Sequence, residues 1–315
     1  MSLADTLKAL NKQFGDNTVI TGGKINIETV STGCYSLDKI FGTGMPKGRI
    51  IEMYGPESSG KSTVALYLIS QMQKIGGNAL LIDTEFAYDR TYAAKIGVDT
   101  NKLLLSQPTT GEEAGKILIE TLKTGDLSII VVDSVAALAP EKEITGEIED
   151  QQIALQARML GKMLRMTVAA ISNTKTFVVF VNQLRDRVGM FVGVGTTTPG
   201  GRALKFYSSV RLEVKAIKKI KVKEEVVGNH LKITATKNKV GLPFRTAEID
   251  LYFEKGIDVV GDIFDQAVIQ NIIEKSGNTY TYEQVKLGIG RDQAKSFLED
   301  DKNKKSLELV KSKLS

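Results

Sequence analysis

From about Ile50 onward the chain alternates short apolar runs with segments of helical periodicity. "RIIEMYG", "NALLIDTE", "LSIIVVDS" and "TFVVFVNQ" are rich in Ile and Val and end in turn-forming residues. Runs this rich in apolar residues predict buried strands, as in a parallel sheet. Between the first two runs, Ala65, Leu68, Ile69, Met72 and Ile75 recur on one helix face, and "ALQARMLGKMLRMTVAAI" between the third and fourth also predicts a helix. Strand, helix and strand in succession predict an α/β fold: a mostly parallel central sheet flanked by helices. Beyond Ala203 the period changes to two in "SVRLEVKAI", "LKITATKNK" and "AEIDLYF", which predicts further strands of the same sheet with antiparallel pairing. Upstream, Leu3, Leu7, Leu10 and Phe14 predict a short amphipathic helix that stops at Gly15. Its apolar stripe needs cover, from its own domain or from a neighbour. From about Gly261 a helix ("DIFDQAVIQNIIEKSG"), a Tyr-rich turn region and a polar helical tail predict a small, separate C-terminal domain.

Composition narrows the chemistry. The 315 residues suffice for a sizeable core, and 42% apolar with 25% charged residues is a globular balance. A net charge of +5 favours a polyanionic partner without proving one. The lone cysteine, Cys34, leaves no internal disulfide framework and fits a reducing compartment. With one histidine, His230, no Ser/His nucleophile pair repeated elsewhere and no multi-His metal site can form, so carboxylates, lysines, amides and backbone must carry the chemistry. No apolar run approaches the ~20 residues that span a bilayer, and "MSLADTLKAL" is no secretory signal. The expected setting is the cytoplasm, with no membrane partner.

"GPESSGKS", Gly55 to Ser62, fits G-x-x-x-x-G-K-[ST] between a strand and a helix. Glycines let backbone N–H groups converge on phosphate oxygens, and the following helix aims its N-terminus at the same anion. Gly55, Pro56, Glu57, Ser58, Ser59, Gly60, Lys61, Ser62 and Thr63 are therefore the expected nucleotide cradle, with Lys61 on the β/γ-phosphates and Ser62 on Mg²⁺. Asp133 ends an apolar run, where it either terminates a strand or holds Mg²⁺ through water. Asp83 and Glu85 share a strand face, an arrangement of like charges with a structural reason only if both are solvated; Glu85 is the candidate to orient or deprotonate the attacking water. Asn182 and Gln183 close another run, and an amide there can sense a γ-phosphate. Lys61, Glu85, Asp133 and Gln183 thus all follow buried strands, where open parallel sheets bind ligands.

The segments "GRIIEMYGPESSGKST", "IDTEFAYDRTYAAKIGVD", "SQPTTGEEA", "IIVVDSVAAL", "FVNQLRDRVG", "TTTPGGRALKFYSSVRLEV" and "TKNKVGLPF" resemble, in order, the signatures of the RecA family of homologous-recombination ATPases. The likeness runs from about Phe14 to Gly290. It implies an ATPase core of that fold at residues 21–258, an N-terminal oligomerisation helix at 1–20 and a small α/β C-terminal domain at 259–315. It also implies ATP and Mg²⁺ as cofactors, a helical homo-oligomeric filament on single-stranded DNA, binding of double-stranded DNA, and strand exchange in DNA repair. By the same resemblance Glu85 is the catalytic glutamate, Gln183 the γ-phosphate sensor, and Asp89 and Tyr92 the adenine contacts. Without it, Tyr92 reads equally as an aromatic on a helix face.

Two loops resemble the family's DNA-binding elements: one around "GEIEDQQIALQAR" and one at "LRDRVGMFVGVGTTTPGG". Arg158, Arg165, Arg185 and Arg187 supply charge there, while Thr196, Thr197, Thr198, Gly200 and Gly201 offer hydroxyls and amides to phosphates. Met190, Phe191 or Val192 can insert between bases. The first loop is acidic at Glu147, Glu149 and Asp150, and its Gln151, Gln152 and Ile153 depart from the family pattern. Residues 301–315 carry five lysines against Asp301 and Glu308, net +3, where better-known members often have an acidic tail that restrains duplex binding. "KAIKKIKVKEE" reads as a solvated strand edge. Lys237 and Lys239, two apart on a strand, read alone as a solvated edge that discourages pairing. The resemblance instead places them on the ATP of a neighbouring subunit. A hexameric helicase motor or signalling kinase of the same fold, and a filament protein that uses ATP only as a switch, are the alternatives at this point.

Overall fold

The computed structural model describes residues 2–15, 18–19, 26–146, 154–186 and 196–314. Nine strands form the central sheet: β1 (Ile50–Gly55), β2 (Asn78–Asp83), β3 (Leu104–Ser106), β4 (Leu127–Asp133), β5 (Phe177–Gln183), β6 (Val210–Val222), β7 (Glu225–Asn238), β8 (Thr246–Tyr252) and β9 (Gly256–Ile257). Their order is β9-β8-β7-β6-β1-β5-β4-β2-β3. The six from β6 to β3 run parallel, whereas β7, β8 and β9 add antiparallel partners to the β6 edge.

Alternation along the apolar strands supplies two cores at once. Ile51, Met53, Leu81, Val131 and Val179 face one core, while Ile50, Leu80, Ile82, Val132 and Phe180 face the other. Helices α2 (Tyr35–Phe41), α3 (Lys61–Lys74) and α4 (Arg90–Ile96) cover the first face. Helices α5 (Gly111–Thr124), α6 (Leu155–Thr174) and α7 (Ala203–Tyr207) cover the second. Strands wrapped on both faces cannot alternate with polar residues, which is why they read as unbroken apolar runs.

The N-terminal helix, α1 (Leu3–Phe14), is closed by a capping box between Ser2 and Asp5. None of its residues is buried, and Leu3 and Phe14 are 76% and 64% exposed, so its own domain leaves the apolar stripe open.

The C-terminal domain differs from its sequence reading. The Tyr-rich region is not a turn but a three-stranded antiparallel sheet: β10 (Glu274–Ser276), β11 (Thr279–Tyr282) and β12 (Val285–Ile289). In β11 the tyrosines and threonines alternate, so Tyr280 and Tyr282 enter a third core while the threonines face outward. That core is built with helices α8 (Val259–Ile269), α9 (Arg291–Glu299) and α10 (Lys304–Lys313), and Phe264 meets Tyr280 edge-on at 5.0 Å between ring centres. Asp262 of α8 ties this domain to the start of α2, accepting hydrogen bonds from Ser36 N (3.0 Å), Ser36 Oγ and Cys34 Sγ (3.2 Å).

Candidate active site

The carboxyl ends of the parallel strands form a row. Gly55 pairs with Gln183 across β1 and β5, and Asp83 with Asp133 across β2 and β4. The loop after β1 is tight because its first residue has no room for a side chain: a Cβ on Gly55 would lie 2.0 Å from the Val214 carbonyl oxygen. Ser58 and Gly60 both take positive φ, and Gly60 caps α3, so the loop wraps around the helix N-terminus.

Lys61, the first residue of α3, is buried and donates to the Pro56 carbonyl at 2.6 Å and weakly to Ser59 Oγ at 3.4 Å. The ammonium is thereby folded back onto its own loop. Burial pulls its pKa down, against the attraction of Asp133, Glu85 and Glu57. Burial raises the Asp133 carboxyl to about 6; the Ser62 hydroxyl bonded to it and Lys61 oppose the rise, while Glu85 and Asp83 add to it.

Glu85 lies beyond the end of β2, where its Oε1 accepts from Ser134 Oγ at 2.5 Å and from Gln183 Nε2 at 3.0 Å. Asp83 stays in the strand as a buried anchor. It accepts from Glu85 N (3.2 Å), Tyr88 N (3.0 Å) and Gln107 Nε2 (2.9 Å), and so shapes the loop that presents Glu85. The like charges at Asp83 and Glu85 are therefore reconciled by division of labour, not by joint solvation. A cavity of about 270 Å³ is lined by Glu57, Ser58, Lys61, Ser62, Glu85, Asp133, Ser134, Val181 and Gln183.

Next to it, Tyr92 OH hydrogen-bonds Thr63 Oγ1 at 2.7 Å. Asp89 caps α4, its Oδ1 accepting from Thr91 N and Tyr92 N, and thereby fixes the turn that carries Tyr92. A cavity of about 210 Å³ runs from Ser58–Thr63 past Tyr92 to Leu251 and Phe253. Ser134, Leu251 and Phe253 were not singled out in the sequence. Ser134 follows Asp133 without a motif of its own, and Phe253 reaches the site only because β8 folds back beside it.

Lys237 and Lys239 stand apart from this cluster. Lys239 N bonds Ser209 O, and Ser209 N bonds Ile50 O, so Lys239 sits at the amino end of β1, while Lys237 pairs with Arg211, level with Glu52 two residues further along. The step from Ile50 to Gly55 along the strand is about 17 Å. Lys237 Nζ caps the C-terminus of α7, donating to Lys205 O (2.7 Å) and Phe206 O (3.1 Å).

The second loop starts directly after Gln183. Its stem pairs Arg185 with Thr197 and Asp186 with Thr196, and its tip, with Arg187, Met190, Phe191 and Val192, lies outside the described residues. Residues 147–153 of the first loop lie outside them too. Arg158 and Arg165 are exposed, seven residues apart and hence on one face of α6, with Lys162 between them. Thr198 and Gly200 are buried; a Cβ on Gly200 would meet Leu160 Cδ2 at 2.6 Å, and one on Gly201 Ala157 Cβ at 2.8 Å. Both glycines take positive φ and seat the loop exit against α6.

Fold and site together define a phosphate-loop nucleoside triphosphatase with its nucleotide crevice at the carboxyl ends of a parallel sheet. Residues 1–258 match the RecA N-terminal domain family and residues 261–314 the RecA C-terminal domain family. The chain is 49% identical over 301 residues to Protein RecA of Bacillus subtilis (94% of this chain, 86% of that one). It is 48% identical to Protein RecA of Clostridium tetani (93% and 85%) and 47% identical to that of Chlorobaculum tepidum (94% and 87%). The chain belongs to the RecA family, the DNA-dependent ATPases of homologous recombination and DNA repair. No described helix is long and apolar enough to cross a membrane.

Proposed function

We propose that this protein hydrolyses ATP with Mg²⁺ as a helical filament on single-stranded DNA in the cytoplasm, and that the filament binds duplex DNA and exchanges strands. The observation that carries this reading is the convergence of Lys61, Ser62, Glu85, Asp133 and Gln183 on one cavity, with a DNA-loop stem beginning two residues after Gln183.

Lys61 would leave the Pro56 carbonyl for the β/γ-phosphates. The Glu85 carboxylate orients the attacking water and takes its proton, while Ser134 holds that carboxylate in place. Gln183 Nε2 donates a hydrogen bond to Glu85 Oε1 in the structure, and a γ-phosphate oxygen would compete for the same donor. Among the described residues no cluster of three His, Cys, Asp or Glu is arranged to chelate a metal. Ser62 and Asp133, which line the same cavity, are instead a pair of hard-oxygen side chains that would hold Mg²⁺, directly or through water. When bound, Mg²⁺ neutralises charge on the β- and γ-phosphates. Thr63, Asp89 and Tyr92 form the base end of the crevice. Lys237 and Lys239, too far from their own phosphate loop, serve the neighbour's. The open stripe of α1, within an N-terminal oligomerisation segment at residues 1–20, docks on that neighbour. Residues 21–258 are the ATPase core and 259–315 the small C-terminal domain.

On DNA, Arg158, Arg165, Arg185 and Arg187 face phosphates, and Met190 or Phe191 meets bases. Thr196 and Thr197 belong to the loop stem, with Thr198, Gly200 and Gly201 shaping its exit. Turnover with and without single-stranded DNA tests the reading. DNA-stimulated release of phosphate, lost in Glu85→Gln, is expected. Hydrolysis indifferent to DNA would favour another motor of this fold, and tight ATP binding without turnover a pure switch.

A further inference from the structure

Glu52 sits in the middle of β1 and is wholly buried, a charged side chain in a strand whose every residue is buried. A carboxylate there needs partners, and it has two. Arg211 Nε donates to Oε2 at 2.5 Å, with the guanidinium lying 4.4 Å from the centre of the Tyr54 ring. Asn182 Nδ2 donates to Oε1 at 3.2 Å. Asn182 is also wholly buried, and its amide is used on both sides. The same Nδ2 lies 3.3 Å from the Pro199 carbonyl, at the exit of the second loop, while Oδ1 accepts from Gln183 N at 3.0 Å. One buried amide therefore touches the backbone of the sensor residue, the far end of the DNA loop and the Glu52–Arg211 pair. Apolar residues of similar volume commonly replace such buried polar groups at little or no cost in stability, so stability alone is a poor reason for them.

We infer that Asn182, held by Glu52, is the positioning residue that couples Gln183 to the DNA loop, so that engagement of the γ-phosphate and of DNA are felt through a single side chain. This rests on the proposed roles of Gln183 and the second loop. If Gln183 exchanges Glu85 for a γ-phosphate oxygen, the end of β5 shifts with it. Asn182 passes that shift to Pro199 through a bond which Glu52 keeps aligned. Arg211, the other partner of Glu52, pairs in register with Lys237 on β7.

The test is the ratio of single-stranded DNA affinities measured by fluorescence anisotropy with a non-hydrolysable ATP analogue and with ADP. Asn182→Asp is nearly isosteric and keeps an acceptor for Gln183 N, but has no donor for Pro199 or Glu52. It should lower the ratio about tenfold, the scale of ordinary allosteric coupling, with affinity for the ATP analogue within about threefold of wild type. The like charges it brings together can impair folding, so Glu52→Gln/Asn182→Asp is measured beside it. There the new amide nitrogen faces the new carboxylate, net charge is conserved, and the Pro199 carbonyl still lacks its donor. This double variant should melt close to wild type and keep the low ratio. A ratio that stays at the wild-type value in the single variant, or returns with stability in the double, overturns the inference. Gln183→Ala separates the two layers: if it keeps the wild-type ratio, the sensor reading fails and the inference with it. If only the Asn182 variants keep the ratio, the inference alone fails.

Discussion

Replacing Asp133 by Asn should make the nucleotide-free protein more stable at neutral pH while destroying its activity. Burial raises this carboxyl from 3.8 to about 6. The folded protein thus holds the proton more tightly than the unfolded chain. The stability contributed is full below the unfolded value and is lost as pH rises through about 6. A shift of roughly two units corresponds to about 3 kcal/mol between the protonated and ionised forms. Asn mimics the protonated form and keeps an acceptor for the Ser62 hydroxyl, so Asp133→Asn avoids that cost at pH 8 and gains nothing near pH 4. At about 2 °C per kcal/mol for a chain of this size, the apparent Tm should rise by about 6 °C at pH 8. Thermal melts of both proteins without nucleotide from pH 4 to 8 give the comparison. With MgATP the gap should narrow or reverse, because the wild type, with its metal-side carboxylate, gains more from the ligand. A gain that is equal at pH 4 and pH 8, or a loss at pH 8, would refute the account of this carboxylate.

Other expectations follow from single contacts. Glu85→Gln should bind ATP normally and lose 10²–10⁴ in turnover, the usual scale for a general base; hydrolysis at the wild-type rate would remove Glu85 from the chemistry. Arg158→Ala/Arg165→Ala should weaken binding alike on unrelated single strands and lower the salt slope by about 1.4, for two phosphates lost; an unchanged slope would take α6 out of the interface. Asp262→Ala strands the Ser36 and Cys34 donors and should cost about 2–4 kcal/mol in urea unfolding. An Asp262→Ala protein as stable as wild type would show that the domain is held by its other contacts, among them Arg291 to Asp250 (3.1 Å) and Gln270 to Tyr35 (2.9 Å).

The sheet was legible because its central strands are covered on both faces, which favours apolar residues along their length and leaves most polar ones at the ends. Those ends are the site, so Lys61, Glu85, Asp133 and Gln183 stood out with the strands. What stayed hidden depended on contacts distant in sequence. Glu52 interrupts "RIIEMYG" without a local reason, and only Arg211 and Asn182 explain it. Asp83 looked like a twin of Glu85 until the loop it anchors was in view. Asp262 makes sense only against Ser36 and Cys34, more than two hundred residues away. The tyrosines of β11 alternate over too few residues for the period to separate a strand from a turn.

On the proposed role of Lys237 and Lys239, hydrolysis needs two subunits, one offering the phosphate loop and the next its lysine pair. Complementation tests it. Lys61→Ala has a dead loop and intact Lys237 and Lys239, and Lys237→Ala/Lys239→Ala has the reverse. Neither alone should hydrolyse ATP efficiently on single-stranded DNA. Mixed in equal amounts, they should recover partial turnover wherever an intact loop meets an intact pair. A mixture as inactive as its components, in filaments shown by electron microscopy to contain both, would contradict it.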